Sequence, residues 1–269
     1  MFTKRAKVIP VSTISVLQTV IDSYNQPFWH FTDEVRTRLL MDLKNEVLSY
    51  FSPCIDLTKF NYFYLTNGIT DGLNYYSSQN HSAKFKILPG DYAYLNLFHQ
   101  NQTEEIFYIS NPSAIDGNYI DDAAFKKLCS ENPRVILDCA YLGTAKNKKI
   151  EMHENIEAVF LGLSKTLGIP DTRIGFIFSK KKINLLDGII YGNSYFNMTS
   201  CLTSIRLLKE FEFGYIYKKY KSQQEAICNE YNIVPSDVCI FATSTDPQYN
   251  SFKRGATNRI CITEKMERE

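Results

Sequence analysis

The chain has 269 residues, of which 44% are apolar, 14% aromatic and 22% charged, a mixture that can bury a sizeable core and excludes disordered and collagen-like chains. Thirty Lys and Arg stand against 29 Asp and Glu, a formal net charge of +1, so no global field draws the protein to nucleic acid or an acidic membrane. Apolar runs such as Ala158-Val159-Phe160-Leu161-Gly162-Leu163 fall far short of the roughly 20 residues that cross a bilayer.

The start, Met1 to Lys7, is basic, but Val8 to Val20 is interrupted by Pro10, Ser12, Thr13, Ser15, Gln18 and Thr19 and makes a poor signal-peptide core. Thr32-Asp33-Glu34 then opens a helix whose apolar positions Val35, Leu39, Leu43, Val47 and Phe51 keep helical spacing up to Pro53. Just before it, Trp29 could line a site entrance, although an aromatic cluster ahead of a helix more often serves as a packing staple. Phe60 to Leu65 reads as a strand, Asn67-Gly68 as a turn, and Thr70 as the hydroxyl cap of a following helix.

Further strands are expected over Lys84 to Leu88, Glu105 to Ile109, Arg134 to Asp138, Ala158 to Leu163 and Arg173 to Phe178, with a helix near Asp121 to Ser130. This alternation predicts an α/β fold, a mostly parallel sheet with helices on both faces. Lys180-Lys181-Lys182 reads as a turn after a strand. From Ser194 to Tyr231 helical spacing returns, with Lys218, Lys219 and Lys221 on a solvated face. Two short strands, Val238 to Ala242 and Arg259 to Thr263, complete a small α+β cap.

Seven scattered cysteines without a C-x-x-C pair suggest neither a zinc site nor a disulfide framework, and fit reduced, buried thiols in a cytoplasmic protein. His30, His81, His99 and His153 lack metal-ligand spacing, so no metal is expected. Asn80, Asn101 and Asn197 begin glycosylation patterns that are chance matches without secretion.

In such a sheet the chemistry belongs at the carboxyl ends of the strands. Ser164-Lys165-Thr166-Leu167-Gly168 follows an apolar strand. A lysine desolvated there loses basicity and becomes a nucleophile, the plainer alternative being a solvated loop lysine. Val135-Ile136-Leu137-Asp138-Cys139-Ala140-Tyr141 delivers a carboxylate and a phenol to one strand end, where a buried acid needs a cation; a helix cap with a packed Tyr141 is the alternative. Arg173 could neutralise a phosphate through paired hydrogen bonds, and Gly68-Ile69-Thr70 lies where a strand turns into a helix whose amides can face an anion.

These segments, in this order, resemble the fold type I pyridoxal 5′-phosphate enzymes, especially the class I/II aminotransferases. The resemblance spans about residues 60 to 263. It covers Asn67 to Leu73 as a phosphate-cup turn, Gly90-Asp91-Tyr92-Ala93-Tyr94, Ser110-Asn111-Pro112-Ser113, Asp138 to Tyr141, Ser164 to Arg173, and Asn258-Arg259-Ile260-Cys261-Ile262. It implies Lys165 as the Schiff-base lysine and proton carrier, Asp138 as partner of the pyridine nitrogen, and Tyr141 with Asn111 on the ring's phenolic oxygen. Tyr92 would stack on the ring, with Tyr94 the runner-up. Gly68, Ile69, Thr70, Ser164 and Arg173 would surround the phosphate, and Arg259 would bind the substrate carboxylate, its alternative being a surface arginine on a terminal strand.

The resemblance further implies amino acid and 2-oxo acid substrates and a homodimer, with no nucleic-acid or membrane partner. It divides the chain into an N-terminal segment and helix (1–55), a cofactor-binding large domain (56–190) and a helical return with a reduced α+β small domain (191–269). Transamination is the expected reaction. A lyase, decarboxylase, cyclase or oxidase on the same fold, and a binding or scaffold protein without turnover, are the alternatives. Two departures stand out. Gly162 replaces a hydroxyl common in relatives, with Ser164 a possible substitute, and only 86 positions separate Arg173 from Arg259, so the small domain is trimmed. An acidic substrate would require a second arginine or lysine near the site, and nothing in the sequence marks one.

Overall fold

Strands β1 (Tyr62–Thr66), β2 (Ala83–Ile87), β3 (Glu104–Ser110), β4 (Val135–Asp138), β5 (Ile156–Gly162) and β6 (Gly175–Ser179) form one sheet in the order β1-β6-β5-β4-β3-β2. The structure, a computed structural model, describes residues 2–98 and 101–266, so His99 lies outside the described residues. Neighbours from β2 to β5 pair in parallel, while β6 runs antiparallel to both β1 and β5. The expected mostly parallel sheet is therefore present. Every residue of β4 and β5 is buried, which is why these strands read as near-continuous apolar runs without alternation.

The register places the site. Ser110 pairs with Asp138, Gly162 with Gly175, and Thr66 with the same Gly175. The carboxyl ends of β1, β3, β4 and β5 thus meet the first residue of β6 along one edge. Arg173, two residues ahead of β6, is brought to that edge because the antiparallel strand begins there. It is not in a strand as expected but in the left-handed region, with φ of 52°.

Helix α1 (Thr13–Tyr24), which the polar interruptions concealed in the sequence, and α2 (Asp33–Phe51) both pack against α7 (Met198–Glu210). Thr32 caps α2 as expected, its hydroxyl accepting from the Val35 amide. Helix α3 (Ile69–Gln79) follows β1, but its cap is Gly68 with no side-chain bond, and Thr70 lies inside the first turn. Helix α4 (Asp122–Ser130) joins β3 to β4, the four-residue α5 (Leu163–Thr166) follows β5, and α6 (Asn184–Asp187) follows β6. Trp29 is 78% exposed, so it does not staple α2, and it is not among the residues lining the cavity at the carboxyl edge of the large sheet.

A second, antiparallel sheet takes the order β7-β8-β10-β9 from β7 (Val234–Pro235), β8 (Phe241–Ser244), β9 (Lys253–Arg254) and β10 (Thr257–Cys261). Val238 to Ile240, expected to be strand, form the turn that leads into β8. The buried Gln224 of α8 (Tyr215–Tyr231) donates to the carbonyls of Ser236, Val238 and Phe241 and so ties helix to sheet. At the other end of the chain, Thr3 and Cys261 exchange backbone hydrogen bonds, and the Val11 amide donates to Leu167 O. Residues 3–11 therefore run from β10 across the loop after α5. All seven cysteines are buried and unpaired, and no helix among the described residues is long and apolar enough to cross a membrane.

Candidate active site

A cavity of about 610 Å³ opens at the carboxyl edge of the large sheet. Asp138, the last residue of β4, is 5% exposed and lies in its wall. Its carboxylate accepts from Tyr108 Oη at 2.5 Å and from the Ala140 amide at 2.8 Å. Burial pushes its pKa up to about 6, and neither hydrogen bond nor any ion pair among the described residues supplies the cation that would restore full ionisation. Tyr108 is a site residue the sequence reading missed. Strand alternation could have found it, since Tyr108 and Ser110 share one face of β3 and Ser110 is paired with Asp138.

Lys165 lies in α5, three residues after Gly162, and lines the cavity. Its amine reaches Ala6 O at 3.5 Å, a weak contact. Burial lowers its pKa, and the guanidinium groups of Arg259, Arg173 and Arg5 lower it further. Tyr141 is buried on the same wall, its ring edge-on to Phe241 at 5.2 Å between centroids.

The anion-binding corner is made by close backbone approach. Gly68 has φ of 89°, and a Cβ there would meet Arg173 Nη2 at 2.4 Å; a Cβ on Gly175 would meet Gly68 C at 2.5 Å. With no side chain at either position, the Arg173 guanidinium folds over the start of α3 and donates to Asn67 O at 3.1 Å. Ile69, Thr70, Ser164 and Arg173 line the cavity beside the free amides of that helix end, whereas Gly68 lies beneath Arg173. Gly68→Ala is expected to cost about 1–3 kcal/mol from the forbidden backbone conformation alone, and more if Arg173 is displaced, read as a lower urea midpoint.

Gly162 also has a steric reason. A Cβ there would come within 3.2 Å of Ile174 O and 3.3 Å of Ile69 Cγ1, so a hydroxyl side chain would require Ile69 and its neighbours to shift by a few tenths of an ångström. Ser164 is then the hydroxyl available on this wall.

Tyr92 lines the cavity and its hydroxyl meets Thr70 Oγ1 at 3.1 Å, while Tyr94 turns away to donate to Asn74 Oδ1. This choice between the two tyrosines follows from Asp91, whose carboxylate accepts from the Tyr92 amide and from Ser110 N and Oγ, locking the segment to the end of β3. Asn111 is brought near but not to the wall: it is buried, and its Oδ1 accepts from the Ile120 amide at 3.2 Å.

Arg259 is 1% exposed, so the surface-arginine alternative fails. Its guanidinium lies 4.2 Å from the Phe241 ring centroid; Nη1 donates to Ala114 O, Nη2 to Lys4 O at 3.2 Å, and the buried Nε has no partner. Lys4, Arg5, Ala6 and Arg254 also line the cavity, and no motif announced them.

Residues 67–208 match the family described as aminotransferase class I and II. Among solved structures, an aminotransferase from Staphylococcus aureus superposes with a TM-score of 0.65 at 14% identity, covering 91% of this chain and 78% of that one. An L-threonine-O-3-phosphate decarboxylase from Porphyromonas gingivalis superposes with a TM-score of 0.63, also at 14% identity, covering 96% of this chain and 94% of that one. No curated protein matches the sequence.

Proposed function

The chain belongs to the class I and II aminotransferase family, and from that premise we propose that it is a pyridoxal 5′-phosphate-dependent enzyme that transaminates an amino acid. The observation that carries the reading is the convergence of Lys165, Asp138 and Arg173 on one cavity, with a buried carboxylate that lacks a cation and a glycine cradle that a single Cβ would fill. These features fit the cofactor. Asp138 would take a protonated pyridine nitrogen as its missing partner, and the α3 amides with Arg173 would hold the phosphate.

When bound, the cofactor supplies an electron sink for the bond broken at the substrate α-carbon. The chain's residues do the rest. Asp138 holds the ring nitrogen's proton, and the Tyr108 hydroxyl and Ala140 amide hold Asp138. Tyr141 would donate from the wall to the ring's phenolic oxygen, and the Tyr92 ring would form the stacking wall. Ile69, Thr70, Ser164 and Arg173 hold the phosphate. Lys165 Nζ, its basicity lowered by burial and by three guanidinium groups, would accept the α-proton and return it. Arg259 orients the substrate through its carboxylate, using the unpartnered Nε and displacing Lys4 O from Nη2.

In this reading 56–190 carry the cofactor, and 191–269 with the N-terminal helices form the reduced small domain. A homodimer has a face to use. Ile14, Leu17, Ile21 and Tyr24 follow helical spacing along α1 and are 44–83% exposed. Buried, unpaired cysteines suit the reducing cytoplasm.

The test is a balance of products. Purified protein supplied with pyridoxal phosphate, an amino acid panel and a 2-oxo acid is expected to move nitrogen from one to the other in equal amounts. Release of carbon dioxide or ammonia instead would mean that another α-bond is broken, because Lys165, Asp138 and Arg173 serve all these reactions. Cofactor bound without any turnover would leave a binding protein.

A further inference from the structure

The cavity holds more positive charge than the proposed reaction uses. Among the described residues that line it, Asp138 is the one carboxylate, against Lys4, Arg5, Lys165, Arg173, Arg254 and Arg259. If Lys165 reacts, Asp138 meets the ring nitrogen, Arg173 meets the phosphate and Arg259 meets the α-carboxylate, then Arg254, Arg5 and Lys4 remain without a task.

Arg254 is placed by the fold. In the β9–β10 hairpin it stands directly across from Thr257, and Arg259 lies two residues further along β10, so Arg254 and Arg259 project from the same face. Both guanidinium groups converge on one acceptor, Ala114 O, which Arg254 Nη1 reaches at 3.3 Å. The approach is held by glycines. A Cβ on Gly90 would meet Gly255 N at 2.5 Å, and one on Gly255 would meet Pro89 O at 2.7 Å.

Two half-buried or buried cations sharing a carbonyl repel one another, and among the described residues no carboxylate lining the cavity forms an ion pair with either. No ion pair is formed by Arg254 among the described residues. Asp91, which does not line the cavity, feels the charge of Arg254, but its oxygens are hydrogen-bonded to Tyr92 N and to Ser110 N and Oγ rather than to the guanidinium. Arg5 adds a third guanidinium, exposed at the mouth. An anion of the substrate is the group that completes this arrangement.

We propose that the substrate is an amino acid whose side chain ends in an anion, a carboxylate or a phosphate, bound by Arg254 with Arg5 at the mouth. The inference rests on the proposed function for the position of the α-carboxylate, but the second cation site is a property of the hairpin itself. It corrects the sequence reading, in which nothing marked a second cation.

The experiment uses the protein loaded with pyridoxal phosphate. Aspartate, glutamate and O-phosphoserine are compared with alanine and leucine for the concentration that half-saturates the change in cofactor absorbance. In parallel, calorimetry compares the unreactive dicarboxylate succinate with butyrate. The anionic amino acids are expected to be favoured over the neutral ones by about 100-fold, with succinate favoured over butyrate to a similar degree. Arg254→Gln should collapse both ratios towards one, and Arg254→Lys should restore part of them. Preference for O-phosphoserine identifies a phosphate as the anion, and preference for aspartate or glutamate a carboxylate.

A wild-type protein that favours alanine or leucine, or an Arg254→Gln variant whose ratios are unchanged, would overturn the proposal and leave the enzyme reading intact. If no amino acid alters the absorbance yet succinate still binds through Arg254, the enzyme reading fails and the anion site stands.

Discussion

Replacing Lys165 by alanine is expected to lower turnover by about 10⁴-fold or more while leaving the unfolding midpoint unchanged or raised. The first part follows from the proton. Positioned acid–base groups contribute roughly 10²–10⁴ in rate, and Lys165 is in addition the nucleophile of the proposed reaction, so both contributions are lost together. The second part follows from the surroundings. The amine has only the Ala6 carbonyl at 3.5 Å, while burial and the cations Arg259, Arg173 and Arg5 all oppose its charge. Removing it relieves repulsion rather than breaking a strong bond. Paired rate and urea measurements on wild type and Lys165→Ala check this, and a variant that lost activity only by unfolding would refute the assignment.

Asp138→Asn separates catalysis from stability in the opposite direction. Asparagine keeps the shape, its Oδ1 able to accept from the Ala140 amide and its Nδ2 able to donate to the Tyr108 hydroxyl, which now acts as donor to Asp138. What it lacks is the charge that keeps a ring nitrogen protonated, and losing such electrostatic support should lower turnover by about 10²–10³-fold. Folding without cofactor should improve. The carboxyl's pKa is raised from 3.8 to about 6 in the folded chain, so the folded state holds the proton more tightly than the unfolded one. Wild-type stability relative to Asp138→Asn therefore falls as pH climbs from about 4 to about 6 and is level above that window. A shift of this size corresponds to about 3 kcal/mol at neutral pH. Pyridoxal phosphate should abolish the difference by giving the carboxylate its cation. Urea midpoints of both proteins at pH 4 and pH 7, with and without cofactor, read all three effects; equal midpoints at both pH values without cofactor would sink the account.

The elements that were legible in the sequence are those whose surroundings impose a uniform demand. Strands β4 and β5 are buried on both faces and had to be continuous apolar runs, and the polar residues interrupting such runs at their ends, Asp138 and Ser164-Lys165, stood out for that reason. Thr70 was misread as a cap because a hydroxyl after a turn is the commoner device. Here the place is taken by Gly68, since Arg173 covers it and leaves no room for a side chain. Helix α1 stayed hidden because its buried positions are Thr19 and Ser23 while Ile14, Leu17 and Ile21 face outward, the reverse of the pattern that marks a helix packed on its own core.

The sequence by itself determined the fold class and the family, along with the lysine, aspartate and arginine of the proposed cofactor site. Each of these residues sits in a short contiguous motif at a strand end, which is why it can be read without knowing how the strands pair. Only the tertiary structure decided which tyrosine lines the cavity, that position 162 is closely packed against Ile174 and Ile69, and that Tyr108 stands behind Asp138. It alone brought Lys4, Arg5 and Arg254 to the cavity. Those outcomes depend on the register of β3 with β4, the hairpin of β9 with β10, and the pairing of Thr3 with Cys261. The physical reason is that charges far apart in the chain are each unremarkable, and become a site only when backbone pairing gathers them around a cavity in which Asp138 is the one lining carboxylate among the described residues.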